Sequence, residues 1–429
     1  MGALTAIADQ PGTARLTVRT VAVDDPGDLL ARLPDPAALA WIRHGDGLIG
    51  WGEAARLTLP AGVDRFTAGE KWLRELFDDA AVTDELGVPG SGPVAFGSFT
   101  FDPASDGSVL VIPQVLLARR AGRSWLTTFR AAGDRAPDVP LEIRQPVAAP
   151  AEVRWSDGSL TAPQWGQAVA AAVARIRAGE LDKVVLARDL NAVASGPIDV
   201  RVLLARLAAR YPECYTFSCA GLAGATPELL IRREGAQVHS LVLAGTMPRG
   251  GSPAQDEVLG AALLASAKDV EEHGYAVADV RAKLGPLCAE LTVAAQPALL
   301  RLANVHHLAT EITARLDVAA GSSSLSAPSA LALAAALHPT AAVGGTPPAA
   351  AMELIRDLEH LDRGRYAGPV GWVDSRGNGE WGIALRCAAL DGPRARLFAG
   401  CGIVADSEPD AELAEAQSKF RPMQQAIER

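Results

Sequence analysis

Arg396-Leu-Phe-Ala-Gly-Cys-Gly-Ile-Val404 leads through Ala405-Asp-Ser-Glu into Pro409-Asp-Ala-Glu-Leu-Ala-Glu-Ala-Gln-Ser-Lys419, an apolar strand feeding a helix with an acidic face. Gly400 and Gly402 interrupt the strand at alternate positions, which suits a place where main chain comes close to a ligand or to another segment. Pro409 predicts the start of the helix. Inside it Glu412, Glu415 and Lys419 fall at i, i+3 and i+7, so all three project from one side. By itself this spacing also describes a solvated face with a Glu415/Lys419 pair.

Working outward, 429 residues at 49% hydrophobic and 21% charged are enough to bury a large core in one big domain or two smaller ones. A formal net charge of -10, with no Lys/Arg run interleaved with aromatics, speaks against a nucleic-acid surface or an anionic membrane patch. Any anionic ligand must therefore be held locally. No basic segment followed by an apolar core opens the chain, and Leu331 to Leu337 is too short to span a bilayer, so a cytoplasmic location is expected. The five cysteines form no CxxC and suggest neither a disulfide framework nor a zinc site.

Residues 1 to 130 read as strand-rich, as in Leu16-Thr-Val-Arg-Thr-Val21 and Val109-Leu-Val-Ile112, with one helix over Ala68 to Asp79. Gly45-Asp-Gly-Leu-Ile-Gly50 matches GxGxxG letter for letter, but Trp51-Gly-Glu and the alternating Arg56-Leu-Thr-Leu59 follow it, so it reads as a hairpin and not as a nucleotide loop. Residues 131 to 154 turn Pro/Ala-rich, an extended connection between two halves. Beyond it the patterns predict a helix over Ala162 to Ala178 stopped by Gly179, a strand at Lys183-Val-Val-Leu-Ala-Arg188 and a helix over Val200 to Tyr211. An antiparallel meander follows from Cys214 to Thr246, then one long helix from Pro253 to Leu284 and another from Ala349 to His360. Asn378-Gly379 predicts a hairpin turn.

The long helix carries Asp269 and Glu272, again three apart. With Glu412 and Glu415 they form two acidic pairs able to serve one hard cation such as Mg2+, although two solvated faces fit the spacing as well. Lys183 begins an apolar strand, so it is either an edge lysine reaching water or a buried amine. Glu228, between Pro227 and Leu-Leu-Ile231, either caps a strand end or is an acid with a raised pKa. His306 and His307 lack an HExxH context, which disfavours zinc hydrolysis.

Taken together, Lys183-Val-Val-Leu-Ala-Arg188, Thr226-Pro-Glu-Leu-Leu-Ile231, Leu243-Ala-Gly-Thr246, Ser266-Ala-Lys-Asp-Val-Glu-Glu-His273, His338-Pro-Thr-Ala-Ala-Val-Gly-Gly345, Tyr366-Ala-Gly-Pro-Val-Gly371 and Phe398-Ala-Gly-Cys-Gly-Ile-Val404 resemble the chorismate-utilising enzymes, in that family's order. The resemblance covers residues 155 to 425 and makes them the chorismate-binding catalytic region; residues 1 to 130 would be the divergent half of the same fold. It implies an α+β architecture of two large antiparallel β-sheets packed together with helices on the outside. Three positions then separate the subgroups. Lys183 stands where ammonia-using members have glutamine, Leu243-Ala-Gly-Thr lacks the nucleophilic lysine of aminodeoxychorismate synthases, and His338-Pro-Thr-Ala-Ala-Val is similar to isochorismate synthases. Val270 departs from the family's usual Lys-Asp-Arg, which puts a secondary salt bridge in doubt.

The resemblance implies that Lys183 deprotonates a water, for which burial must favour the neutral amine, and that Glu228 protonates the departing ring hydroxyl. It implies Mg2+ held by Glu272 and Glu415, with Asp269 and Glu412 in or just outside the first shell, binding a carboxylate of chorismate. Gly245, Thr246, Arg386, Gly400, Gly402 and Lys419 would hold the substrate's carboxylates, while His338, Ala342, Val343, Tyr366 and Phe398 would complete the pocket. The product would be isochorismate, for menaquinone or catechol siderophore synthesis, with no glutaminase subunit. The rivals are a salicylate synthase, an ammonia-using synthase and a catalytically silent chorismate-binding protein.

Overall fold

The chain is described by a computed structural model that covers residues 15–131, 139, 149–150, 152–317 and 327–428. Most of the Pro/Ala-rich connection lies outside these residues. Among the described residues, thirteen strands form one sheet and ten a second. In the first, Val153–Asp157, Lys183–Ala194, Arg394–Ile403, Cys387–Asp391, Leu222–Thr226 and Tyr215–Cys219 run on into Leu39–Arg43, Asp46–Trp51, Val115–Arg120, Arg123–Ala131, Leu16–Ala22 and Ala81–Asp84. The short strand Gly345–Thr346 pairs beside Lys183. In the second, Cys288–Val293, Val305–Leu316, Gln237–Pro248, Leu229–Glu234, Gly379–Ile383 and Pro369–Asp374 continue into Val94–Ser98, Ser108–Ile112 and Ala55–Leu59, with Ala298–Arg301 added on Val305–Leu316. Both sheets thus draw strands from each side of the connection. The ladders are antiparallel apart from Leu16–Ala22 with Ala81–Asp84, a parallel pair at an edge.

Strands covered on both faces need apolar residues at every position, and Lys183–Ala194, Tyr215–Cys219 and Val94–Ser98 are buried almost throughout. The sheets meet through large side chains: Trp41 and Phe217 from one, Phe96, Trp372 and Trp381 from the other, all at most 2% exposed. Trp41 Nε1 crosses between the sheets to donate to Glu380 Oε2 at 2.7 Å. Helices cover the outside. Ala162–Arg177 starts at a Thr161/Gln164 capping box and buries Trp165, Val169, Val173 and Ile176, each worth roughly 1.5–3 kcal/mol on burial.

Three expectations change. The span from Pro253 to Leu284 is not one helix: Ser266, with extended backbone, ends Pro253–Ala265 and caps Ala267–Leu284 by accepting from Asp269 N. The meander from Cys214 to Thr246 is not one sheet either, because its first two strands pair in one sheet and its last two in the other. The crossing falls at Pro227–Glu228. In the 374–378 hairpin the left-handed residue is Gly377, while Asn378 donates to the Asp374 carboxylate. The GxGxxG match does fall in a hairpin, with Gly45 at φ 78° in the turn between Leu39–Arg43 and Asp46–Trp51.

Candidate active site

Because the chain changes sheets at Pro227–Glu228, the Glu228 carboxyl is delivered into the space between them. A cavity opens there, lined from one sheet by Val185, Phe398, Gly400 and Gly402, from the other by Leu243 to Thr246 and His307, and bounded further by Ala342, Val343, Arg363, Tyr366, Arg386 and Lys419. Alternation along Arg394–Ile403 turns residues 398, 400 and 402 to one face. Glycine is needed at two of them: a Cβ at Gly400 would lie 3.0 Å from the Tyr366 hydroxyl, and one at Gly402 2.0 Å from Glu272 Oε1. Tyr366 stacks on Phe398 with ring centroids 5.1 Å apart and forms an aromatic wall. Ala367 (φ 61°) and Arg386 (φ 49°) line the cavity in left-handed backbone, a strain that proteins hold where a side chain must be aimed.

Charge is concentrated in this cavity. Glu228 is 5% exposed, and burial pushes its carboxyl up to about 8 against the opposing pull of Lys183, Arg386 and Lys419, so it is protonated at neutral pH. Lys183 is wholly buried just behind Gly402. Its Nζ lies 3.1 Å from Glu272 Oε1 but out of line for a hydrogen bond. Lys419 Nζ donates to Gly400 O at 2.8 Å and pairs with Glu415 Oε1 at 2.6 Å; burial works against its ammonium, but Glu415 outweighs it and holds the pKa above the usual lysine value. Arg386 Nη1 is buried without a hydrogen-bond partner, an orphan donor at a cavity wall that calls for an acceptor from outside the chain.

The acidic residues come together from two helices. Glu272 and Glu415 line the cavity. Asp269 lies beside Gly245 and is hydrogen-bonded by Ser266 Oγ, and Glu412 accepts from Ser407 Oγ at 2.7 Å and Lys268 Nζ at 3.1 Å. Asp269 is pushed up by burial and then by the neighbouring Glu272 and Glu415 charges, and Glu412 by burial and then by Glu415. Such mutual repulsion is what a divalent cation relieves, and an all-oxygen donor set suits Mg2+. Ligand atoms of Cys401, Glu412 and Glu415 all lie within 4.8 Å of one another. The Cys401 thiol, raised well above its ordinary value by burial, donates to Glu412 O at 3.3 Å and offers a hard cation little.

Gly245, Thr246, Ala342, Val343, Tyr366, Arg386, Phe398, Gly400, Gly402 and Lys419 therefore stand around one cavity with Glu228, as the resemblance implies. His338 does not. It terminates the helix Ala330–Leu337 and points into the core, its Nε2 2.9 Å from Phe101 O and its ring beside Phe66 and Phe101, where burial lowers it to about 3. The cavity wall begins at Ala342 instead. Two lining residues with polar side chains, His307 and Arg363, were not singled out as site residues from the sequence. His307, lowered to about 3 by burial and so neutral, has Nδ1 3.2 Å from Gly245 O, which fixes the proton on Nδ1 and leaves Nε2 facing Arg386 Nη2 at 3.4 Å. Strand alternation turns it away from its neighbour His306, which instead faces Asp256 at 2.8 Å. Arg363, in an irregular segment without periodicity, pairs with Glu359 and donates to Val343 O and Val185 O at 2.9 and 2.8 Å.

Residues 38–428 match the family model described as chorismate binding enzyme, and the chain belongs to that family. A Mycobacterium tuberculosis relative, provisionally named the isochorismate synthase MenF, is 41% identical over 377 residues, covering 85% of this chain and 94% of the relative. The isochorismate synthase EntC of Escherichia coli K12 is 36% identical over 361 residues, 82% and 84% of the two chains. In fold, the chain superposes on the menaquinone-specific isochorismate synthase MenF of Escherichia coli with a TM-score of 0.78 at 24% identity, covering 96% and 95%. Among the described residues no helix is long and apolar enough to cross a membrane.

Proposed function

We propose that this protein is an isochorismate synthase that adds water at one ring carbon of chorismate as the hydroxyl on another leaves, the double bonds shifting between them. The observation that carries this reading is a carboxyl held protonated, Glu228, in the cavity wall, with a wholly buried lysine, Lys183, close enough to act on its charge and set just behind Gly402 of the same cavity. Nζ of Lys183 accepts a proton from the incoming water, and Glu228 donates its own to the departing hydroxyl; no net proton is consumed. Arg386, through its unpartnered Nη1, and Lys419 bind carboxylates of the substrate. Tyr366 and Phe398 flank the ring, and Ala342 and Val343 form a further wall beside it. Mg2+ would be held by Glu272 and Glu415, with Asp269 and Glu412 beside them, and when bound it supplies the positive charge that lets an acidic site accept an anionic ring.

A lysine at position 183 and relatives named as isochorismate synthases support water rather than ammonia as nucleophile, acting without a glutaminase subunit. The product would feed menaquinone or catechol siderophore synthesis, in the cytoplasm. The test is incubation with chorismate and Mg2+ followed by chromatographic identification of products. Isochorismate, with pyruvate no faster than its spontaneous release, is expected. Stoichiometric, enzyme-dependent salicylate and pyruvate would overturn the assignment in favour of a salicylate synthase.

A further inference from the structure

The Ala342–Val343 wall belongs to a turn, residues 338–344, whose own hydrogen bonds run from Val343 N and Gly344 N to Thr340 O at 3.1 and 2.9 Å. Much of its remaining main chain is held by side chains from elsewhere. Lys283 Nζ donates to Leu337 O at 3.2 Å and Pro339 O at 2.7 Å. Asp279 Oδ2 accepts from Ala341 N at 3.0 Å while lying 3.0 Å from Lys283 Nζ. On the other side Arg363 meets Val343 O, and Gly344 O accepts from Val185 N at 2.8 Å. An i,i+4 Asp/Lys pair is ordinarily a weak surface pair. This one makes two bonds to the main chain of that turn and a third to Leu337 O just before it.

Asp279 and Lys283 also share their helix with the acidic part of the site. In Ala267–Leu284 they lie seven and eleven residues after Glu272, close to two and three whole turns, so the three side chains stand on one stripe. One helix thus carries a carboxylate of the cavity near its start and grips the turn of the Ala342–Val343 wall near its end.

We propose that Asp279 and Lys283 are positioning residues that fix the distance between Glu272 and the Ala342–Val343 wall, and with it the seat of the substrate ring. They touch no substrate; they act through the turn. The inference rests on the isochorismate synthase reading of the cavity. Without the Lys283 donors, two carbonyls lose charged partners and the helix keeps only the Asp279 bond to the turn, which loosens the wall on that side, whereas the helix keeps its buried His273, Ala276, Val280 and Leu284.

The experiment compares wild type, Lys283→Met and Lys283→Arg at matched folded concentration, measuring KM and kcat for chorismate with saturating Mg2+, and calorimetric binding of Mg2+ alone. Lys283→Met is expected to raise KM about tenfold, the factor that one charged hydrogen bond is worth, with kcat and Mg2+ binding little changed and Lys283→Arg recovering most of the loss. An unchanged KM in Lys283→Met overturns the proposal. So does a joint fall in kcat and Mg2+ binding that arginine fails to rescue, because that marks a structural role only. Should Lys283→Met not fold, Asp279→Asn, which keeps an acceptor for Ala341 N but removes the charge facing Lys283, must raise KM in the same selective way or the proposal fails. A wild type that consumes no chorismate overturns both readings, and an active wild type with an indifferent Lys283→Met overturns this one alone.

Discussion

Glu228 and Lys183 owe their properties to position rather than to their neighbours in sequence. Glu228 sits where the chain leaves one sheet for the other, and its loss of solvent there outweighs what Lys183, Arg386, Lys419 and the Leu243 main chain do for its charge. Because burial raises this carboxyl to about 8, the protonated, donating form dominates below that pH and is lost above it. The kcat/KM profile should therefore fall on its alkaline side with an apparent pKa near 8, and a profile that stays flat through and beyond that pH would remove Glu228 as the acid. Lys183→Gln is expected to lower water-dependent turnover by about 10²–10⁴-fold, the usual worth of a general base, while leaving the fold intact since glutamine keeps much of the apolar stem. Chorismate consumption with and without ammonium salt measures this. Wild-type turnover with water alone would take Lys183 out of the mechanism. Both residues stand out in the sequence as charges beside apolar runs, but whether each reaches solvent or stays buried depends on what covers them.

At the scale of elements, the site depends on the strand Arg394–Ile403 lying against the helices that carry the acids. Gly402→Ala tests that contact: the added methyl would occupy the place of Glu272 Oε1 and come within 3.1 Å of Lys183 Cε. A carboxylate end can swing away cheaply, so the thermal transition should stay near wild type. Turnover should nevertheless fall by about 10²-fold, as expected when a reacting group is misplaced by an ångström or so. A fully active Gly402→Ala would mean that the position of Glu272 does not matter. Helical spacing in the sequence identifies the acidic pairs, but not that Ser266 breaks their helix in two. That break is a competition between an apolar run favouring continuity and a serine hydroxyl that accepts from Asp269 N, and the outcome is set by packing on both sides.

At the scale of the molecule, the four carboxylates converge from helices more than a hundred residues apart, and each stands near lysine or serine partners that partly offset it. Chelation is expected to abolish turnover and Mg2+ to restore it without any change in the far-ultraviolet circular dichroism, since the helices keep their apolar faces. Undiminished activity in excess chelator would sink the metal reading. The sequence by itself determined most of the elements and supplied the candidates: strand and helix periodicity and the glycines at 400 and 402 are local properties read along one chain, and the resemblance of its motifs to one family singled out Glu272, Glu415, Lys183 and Glu228. What only the tertiary structure decided is which of these meet. It took His338 out of the cavity because the helix end that carries it turns into the aromatic core. It brought in His307 and Arg363, which have no distinguishing local pattern, and it divided one apparent meander between two sheets. Burial and proximity are sums over segments distant in sequence, and no local period encodes them.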